Sequence, residues 1–276
     1  ENGRKKAIEC IRLREENELN THEEAEKAIE LLSTSDDSIK TAENARLVIE
    51  AIIENVEAKQ NLFAQLDAVL PVEVPICSNT SGLRITDISA KCVHPERTVT
   101  THFWLPAHLV PLVEVVMGDK TDEAVAVAVR DELRKWKKAP VLVKRDLPGQ
   151  LANRVFQAII RESIDIVASG LASAEDVDTA ISCGMAMRFP VWGPLEASGR
   201  HRPEPGPLRA GDRAAQHLRR RDRNPYIKEL VEKGDLGAKT GNGFYDWSTR
   251  SIEDDMKKRD AFIIEAVKAV ERVEKK

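Results

Sequence analysis

The spacing of apolar positions changes along the chain, and that change divides it. Residues 4–30 read as one helix rich in Glu, Lys, Arg and Ala, with Thr21 and Glu24 forming a capping box for its second half. The run Ala45-Arg46-Leu47-Val48-Ile49-Glu50-Ala51-Ile52 predicts a buried strand, and Val56, Leu62, Phe63 and Leu66 follow at helical spacing. Val74-Pro75-Ile76-Cys77 predicts a second strand. A polar turn, a short helix near residues 85–90 and a strand over 98–103 come next, and Leu112–Val116 and Ala139–Val143 also carry strand patterns. Strands alternating with helices predict βαβ units and a parallel sheet.

Past Lys144-Arg145-Asp146-Leu147-Pro148-Gly149 the period is helical: Leu151, Val155, Ala158, Ile159, Glu162 and Ile166 share a face. Ser173 with Asp176 starts a further helix that runs to about Ile181. These patterns put an α/β domain over 1–146 and a helical one over 147–276. One stretch breaks the pattern. Arg200 to Arg223 holds eight arginines and three prolines and lacks Val, Ile, Met, Phe, Tyr and Trp. Its abrupt edges favour translation from a shifted reading frame over a disordered loop or a phosphate-binding patch.

Composition narrows the class. With 276 residues, 42% hydrophobic and 32% charged, the chain is globular and has room for two domains. A net charge of −4 argues against nucleic acid as the main partner. No apolar run approaches the ~20 residues a bilayer needs, and no apolar core follows the basic N-terminus. Cys10, Cys77, Cys92 and Cys183 form no C-x-x-C pair and no zinc-type spacing with histidine. Reduced thiols, a cytoplasmic location and no metal are the expectation.

The candidate chemistry lies at strand ends. His102 closes the run Thr98–Phe103, and the carboxyl end of a strand in an open parallel sheet is where ligands bind. Its imidazole suits a general base, although a lone histidine there can equally be a satisfied core residue. Glu114 lies among Leu112, Val113, Val115 and Val116, where a buried charge requires a partner. That partner is either a distant cation or His102, whose ring the carboxylate would orient. Ser78-Asn79-Thr80-Ser81 is either a helix cap or a set of donors near a ligand oxygen. Asn153 opens the helical part, His108 is a rival base, and His94 reads as a turn residue.

Together these segments resemble the 3-hydroxyacyl-CoA dehydrogenase family. The resemblance runs through Leu47–Asn55, Ser78–Ser81, His102-Phe103, Leu112–Val115, Pro148-Gly149 to Asn153-Arg154, Gly193–Glu196 and Lys239–Tyr245, and its specificity lies in their order and spacing. It implies a Rossmann-type parallel-sheet domain followed by an all-helical domain that forms a homodimer. It also implies NAD-dependent oxidation of an L-3-hydroxyacyl-CoA to the 3-ketoacyl-CoA. By this resemblance His102 is the base, Glu114 its partner, and Ser81 and Asn153 hydrogen-bond the reacting oxygen. Glu54, Lys59, Ser81 and Lys239 line the cofactor site.

The chain departs from the family in three ways. It has no G-x-G-x-x-G turn before its first helix, so it reads as an N-terminally truncated member expected to bind the dinucleotide weakly. Leu105 stands where the family has an asparagine, and the arginine-rich stretch replaces an interface helix. Gly184–Pro194 is similar to branches that act on other small 3-hydroxy acids such as carnitine and gulonate. A dehydrogenase of that kind, or a non-catalytic relative, is the alternative.

Overall fold

Helix-forming residues at the start of the chain build two helices rather than the single one predicted over 4–30. The computed structural model describes residues 2–190, 193–194, 225–236, 238, 240–249 and 251–274. In it α1 covers Asn2–Glu16 and α2 covers His22–Leu31. Glu18 between them takes a positive φ of 59°. Thr21 is extended, its hydroxyl accepts from Glu24 N, and the Glu24 carboxylate accepts from Thr21 N at 2.9 Å. A complete capping box starts a helix, so the Thr21–Glu24 motif divides the predicted helix in two. The short α3, Ser38–Ala42, starts on Asp37, whose carboxylate accepts from Lys40 N at 3.0 Å.

Five strands follow: β1 Val48–Glu50, β2 Ile76–Ser78, β3 Thr98–Phe103, β4 Leu112–Val116 and β5 Ala139–Val143. They lie side by side in sequence order. Helices α4 (Val56–Val69), α5 (Ile85–Ile88) and α6 (Glu123–Lys135) alternate with them. The pairings β1–β2, β2–β3 and β4–β5 are parallel, as predicted, while β3–β4 is antiparallel. Residues 104–111 are too few for a crossover, so the chain doubles back. Strand β1 is shorter than the predicted 45–52 because β2 offers only Ile76–Ser78 in register.

Both faces of the sheet are covered, which explains strands without alternation. Ile76 packs with Phe63 and Leu66 of α4 and with Ile85 and Ile88 of α5. Cys77, Val99, Val113 and Val115 pack with Ala126, Val129 and Leu133 of α6.

Among the described residues the remaining α-helices are α7 (Ala152–Ala168), α8 (Ala174–Ala180, capped by Ser173), α9 (Pro225–Lys233) and α10 (Ile252–Glu274). The chain divides into two compact units, one of residues 1–154 with 259–276 and one of residues 155–258. This division differs from a boundary at 147 with everything after it in one helical domain. The second half of α10 belongs to the first unit, because Ile264 is buried with Leu19 and Leu109. The described residues of the second unit are helical apart from turns and one isolated bridge, Asn242 to Asp246. Among the described residues no helix is long and apolar enough to cross a membrane. The arginine-rich stretch 200–223 lies outside the described residues.

Candidate active site

The antiparallel β3–β4 pair sets His102 directly opposite Glu114. Opposed residues of such a pair project to the same face, so the ring and the carboxylate meet. His102 Nδ1 lies 2.8 Å from Glu114 Oε2. Trp104 Nε1 donates to the same oxygen at 3.0 Å. The other oxygen, Oε1, accepts from the amides of Leu151 and Ala152 at 2.9 and 2.8 Å. These amides lead into α7, where backbone N–H groups lack intrahelical partners and the helix dipole favours negative charge.

Glu114 is 0% exposed. Burial alone would push its carboxyl up, but the hydrogen bonds from His102, Trp104, Ala152 and Leu151 outweigh it and hold the group at about 2. The carboxylate is therefore ionised and fixes which tautomer faces it. With Nδ1–H donated to Glu114, Nε2 carries the free lone pair. Ser81 Oγ is 3.1 Å from Nε2, placing an exposed hydroxyl against the ring.

The turn bearing Ser81 is clamped from several sides. Glu54 Oε1 accepts from the Thr80 hydroxyl and from the amides of Ser81 and Gly82 at 3.2 and 3.1 Å. Burial raises the Glu54 carboxyl, and the Thr80, Gly82 and Lys59 interactions more than offset it, leaving it lowered. Asn79 Oδ1 accepts from Phe103 N at 2.9 Å, tying the turn to β3. Gln150, at positive φ after Gly149, donates to Thr80 O at 3.0 Å. Beneath the turn Glu50 is buried and accepts from Lys59 Nζ and Ser78 Oγ, each at 2.6 Å.

Two family models cover most of the chain. The 3-hydroxyacyl-CoA dehydrogenase NAD-binding domain matches residues 1–147, and the C-terminal domain of the same enzymes matches residues 149–247. The chain belongs to the 3-hydroxyacyl-CoA dehydrogenase family. It is an NAD-dependent oxidoreductase of that type.

A probable 3-hydroxybutyryl-CoA dehydrogenase of Bacillus subtilis is 34% identical over 245 residues, covering 84% of this chain and 79% of that protein. A 5-formyl-3-hydroxy-2-methylpyridine 4-carboxylate 5-dehydrogenase of Mesorhizobium japonicum is 32% identical over 211 residues, covering 76% and 68%. Among solved structures, a dehydrogenase of the same pyridine carboxylate matches with a TM-score of 0.75 at 27% identity, over 90% of this chain and 87% of that one. The 3-hydroxybutyryl-CoA dehydrogenase of Escherichia coli K12 matches with a TM-score of 0.70 at 29% identity, over 91% and 52%.

The carboxyl ends of β1 and β2, where open parallel sheets bind ligands, expose both polar and apolar groups. Glu54 keeps a side chain that is 45% exposed, Ser81 offers a hydroxyl, and Ile53 presents an exposed apolar side chain beside Glu54 in sequence.

Of the residues singled out in the sequence, Ser81, His102 and Glu114 form one hydrogen-bonded series, and Glu54 grips its first member. Lys59 sits one layer below. Its ammonium is buried between the carboxylates of Glu50 and Glu54, so it positions Glu54 and offers a ligand no surface. Asn153 is half-buried and follows the two residues whose amides hold Glu114. Lys239 lies outside the described residues. His108 lies off this series; its carbonyl accepts from Arg14, and burial lowers its ring pKa. His94 bonds Glu96 in an exposed turn. The Ser78–Ser81 segment is not a helix cap: Arg84 precedes α5 and makes no side-chain cap bond.

Sequence reading passed over Glu50, Trp104 and Gln150. Glu50 carried the same signal as Glu114, a carboxylate inside an apolar strand. The other two gave no signal, since their partners are Glu114 and Thr80, distant in sequence or across a reversal.

Proposed function

We propose that this dehydrogenase oxidises the 3-hydroxyl of an L-3-hydroxyacyl-CoA to the ketone, with His102 as general base. The carrying observation is the unbroken series Ser81 Oγ, His102 Nε2, His102 Nδ1, Glu114 Oε2. NAD, when bound, supplies the hydride acceptor, and Glu54 and Ser81 are the residues that would hold its ribose end. A substrate hydroxyl set against Nε2 gives up its proton there, and the ionised Glu114 stabilises the imidazolium that results. Ser81 and Asn153 hydrogen-bond the oxygen as it becomes a carbonyl. In the reverse direction the imidazolium returns the proton.

A second reading, a small 3-hydroxy acid as substrate, is favoured by the name of a relative. A relative in Streptomyces coelicolor, 35% identical over 164 residues, is named L-carnitine dehydrogenase.

Reduction of acetoacetyl-CoA by NADH, followed by NADH absorbance beside NAD-linked oxidation of carnitine, separates the two. Acyl-CoA turnover that falls on the order of 10²–10⁴-fold in His102→Ala supports the first reading. Near-normal turnover in that variant sinks His102 as the base.

A further inference from the structure

Trp104 is the one donor on Glu114 that neither the backbone nor the proton-transfer series requires. It shares Oε2 with His102 Nδ1, at 3.0 and 2.8 Å, while Oε1 is occupied by two amides. Its ring stands edge-on to the imidazole, with centroids 6.2 Å apart at 61°. We propose that Trp104 is a positioning residue that sets the proton affinity of His102 by competing for the carboxylate oxygen His102 uses.

The physical argument follows from that shared oxygen. A carboxylate oxygen receiving an N–H from indole has less negative charge to offer the imidazolium. The indole N–H thus stabilises Glu114 as an anion and at the same time makes it a weaker counter-charge for His102. Removing it returns the whole of Oε2 to the imidazolium. The remaining charges near His102 stay as they are. Glu54 reaches it through Ser81, with Lys59 and Glu50 behind. Lys138 lies over the neighbouring Phe103 ring at 5.8 Å. The turn packed on Glu114 contributes the uncharged Gln150, Leu151 and Ala152.

This inference rests on His102 being the base, and its test reads the ring without turnover. Trp104→Phe keeps an aromatic ring and loses the N–H. In the chain labelled with ¹⁵N-histidine and assigned through His102→Gln, the His102 titration midpoint should rise by about half a pH unit. That corresponds to roughly 0.7 kcal/mol, a fraction of one charge-assisted hydrogen bond. Benzothienylalanine at position 104 alone, which replaces the indole N–H by sulfur and keeps the bicyclic shape, should give the same shift if the phenylalanine variant unfolds. In L-3-hydroxybutyryl-CoA oxidation the acid limb of kcat/KM should move up equally.

A midpoint that stays put in a folded variant overturns the inference, and so does a fall in kcat with an unmoved pH profile, which marks a merely structural tryptophan. A midpoint that moves in a chain that turns over no acyl-CoA keeps the inference and overturns the proposed substrate.

Discussion

At the scale of single residues, Glu114 shows how a buried charge becomes useful. An unpaired carboxylate in a sheet interior would cost several kcal/mol, yet four donors make this one more acidic than a carboxylate in water. The consequence for stability has a definite sign. Its ordinary value is 4.5 and its folded value about 2, so its contribution is complete above the former and is lost as pH falls through the latter. That contribution is about 3 kcal/mol, from roughly 1.4 kcal/mol per pH unit. Urea unfolding of the wild type and Glu114→Gln across pH 2–5 should show a stability gap that closes as the pH drops. A gap constant with pH would mean that the carboxylate is not ionised in the folded protein. His102 benefits from the same charge, since it fixes the tautomer that leaves Nε2 free to take a proton.

At the scale of elements, the site depends on how α7 begins. Gly149 (φ 80°) and Gln150 (φ 49°) turn the chain so that the amides of Leu151 and Ala152 face Glu114. Any Cβ at Gly149 meets a left-handed backbone conformation and lies 3.3 Å from Arg154 Cγ. Gly149→Ala should therefore destabilise by about 1–2 kcal/mol and lower kcat as the amides withdraw from the carboxylate. Thermal unfolding with steady-state kinetics checks both effects, and an unaltered kcat would show that the turn can shift without disturbing Glu114. At α2 the capping box is the whole start signal, so Thr21→Ala should cost about 1 kcal/mol, read by chemical denaturation.

At the scale of the whole molecule, the chain returns to where it began. The last helix places Ile264 against Leu19 of the α1–α2 connection and Leu109 of the β3–β4 loop. Ile264→Ala should destabilise the first unit by about 2–5 kcal/mol, although residue 264 is far from Leu19 and Leu109 in sequence. Hydrogen exchange of the β4 amides reports that unit directly; protection unchanged there, with exchange faster only in the second unit, would contradict the placement.

What could be read from the sequence follows a physical line. Continuous apolar runs, helical spacing and caps are local, and they determined the strands at 98–103, 112–116 and 139–143, the helix from Val56 and the start after Ser173. They also made His102 and Glu114 conspicuous, because charge within a strand is costly wherever the strand lies. Length and direction of pairing are not local. The reversal at 104–111 and the shortening of β1 depend on which strand lies alongside, and the break at Glu18 on a competing helix start. The assignment of α10 to the first unit depends on which apolar surface remains uncovered. So the sequence by itself determined which residues could do acid–base chemistry. Tertiary structure alone decided that His102 and Glu114 face each other, that Lys59 is buried beneath Glu54, and that Trp104 shares the carboxylate, because each of those contacts joins side chains only folding brings within hydrogen-bond reach.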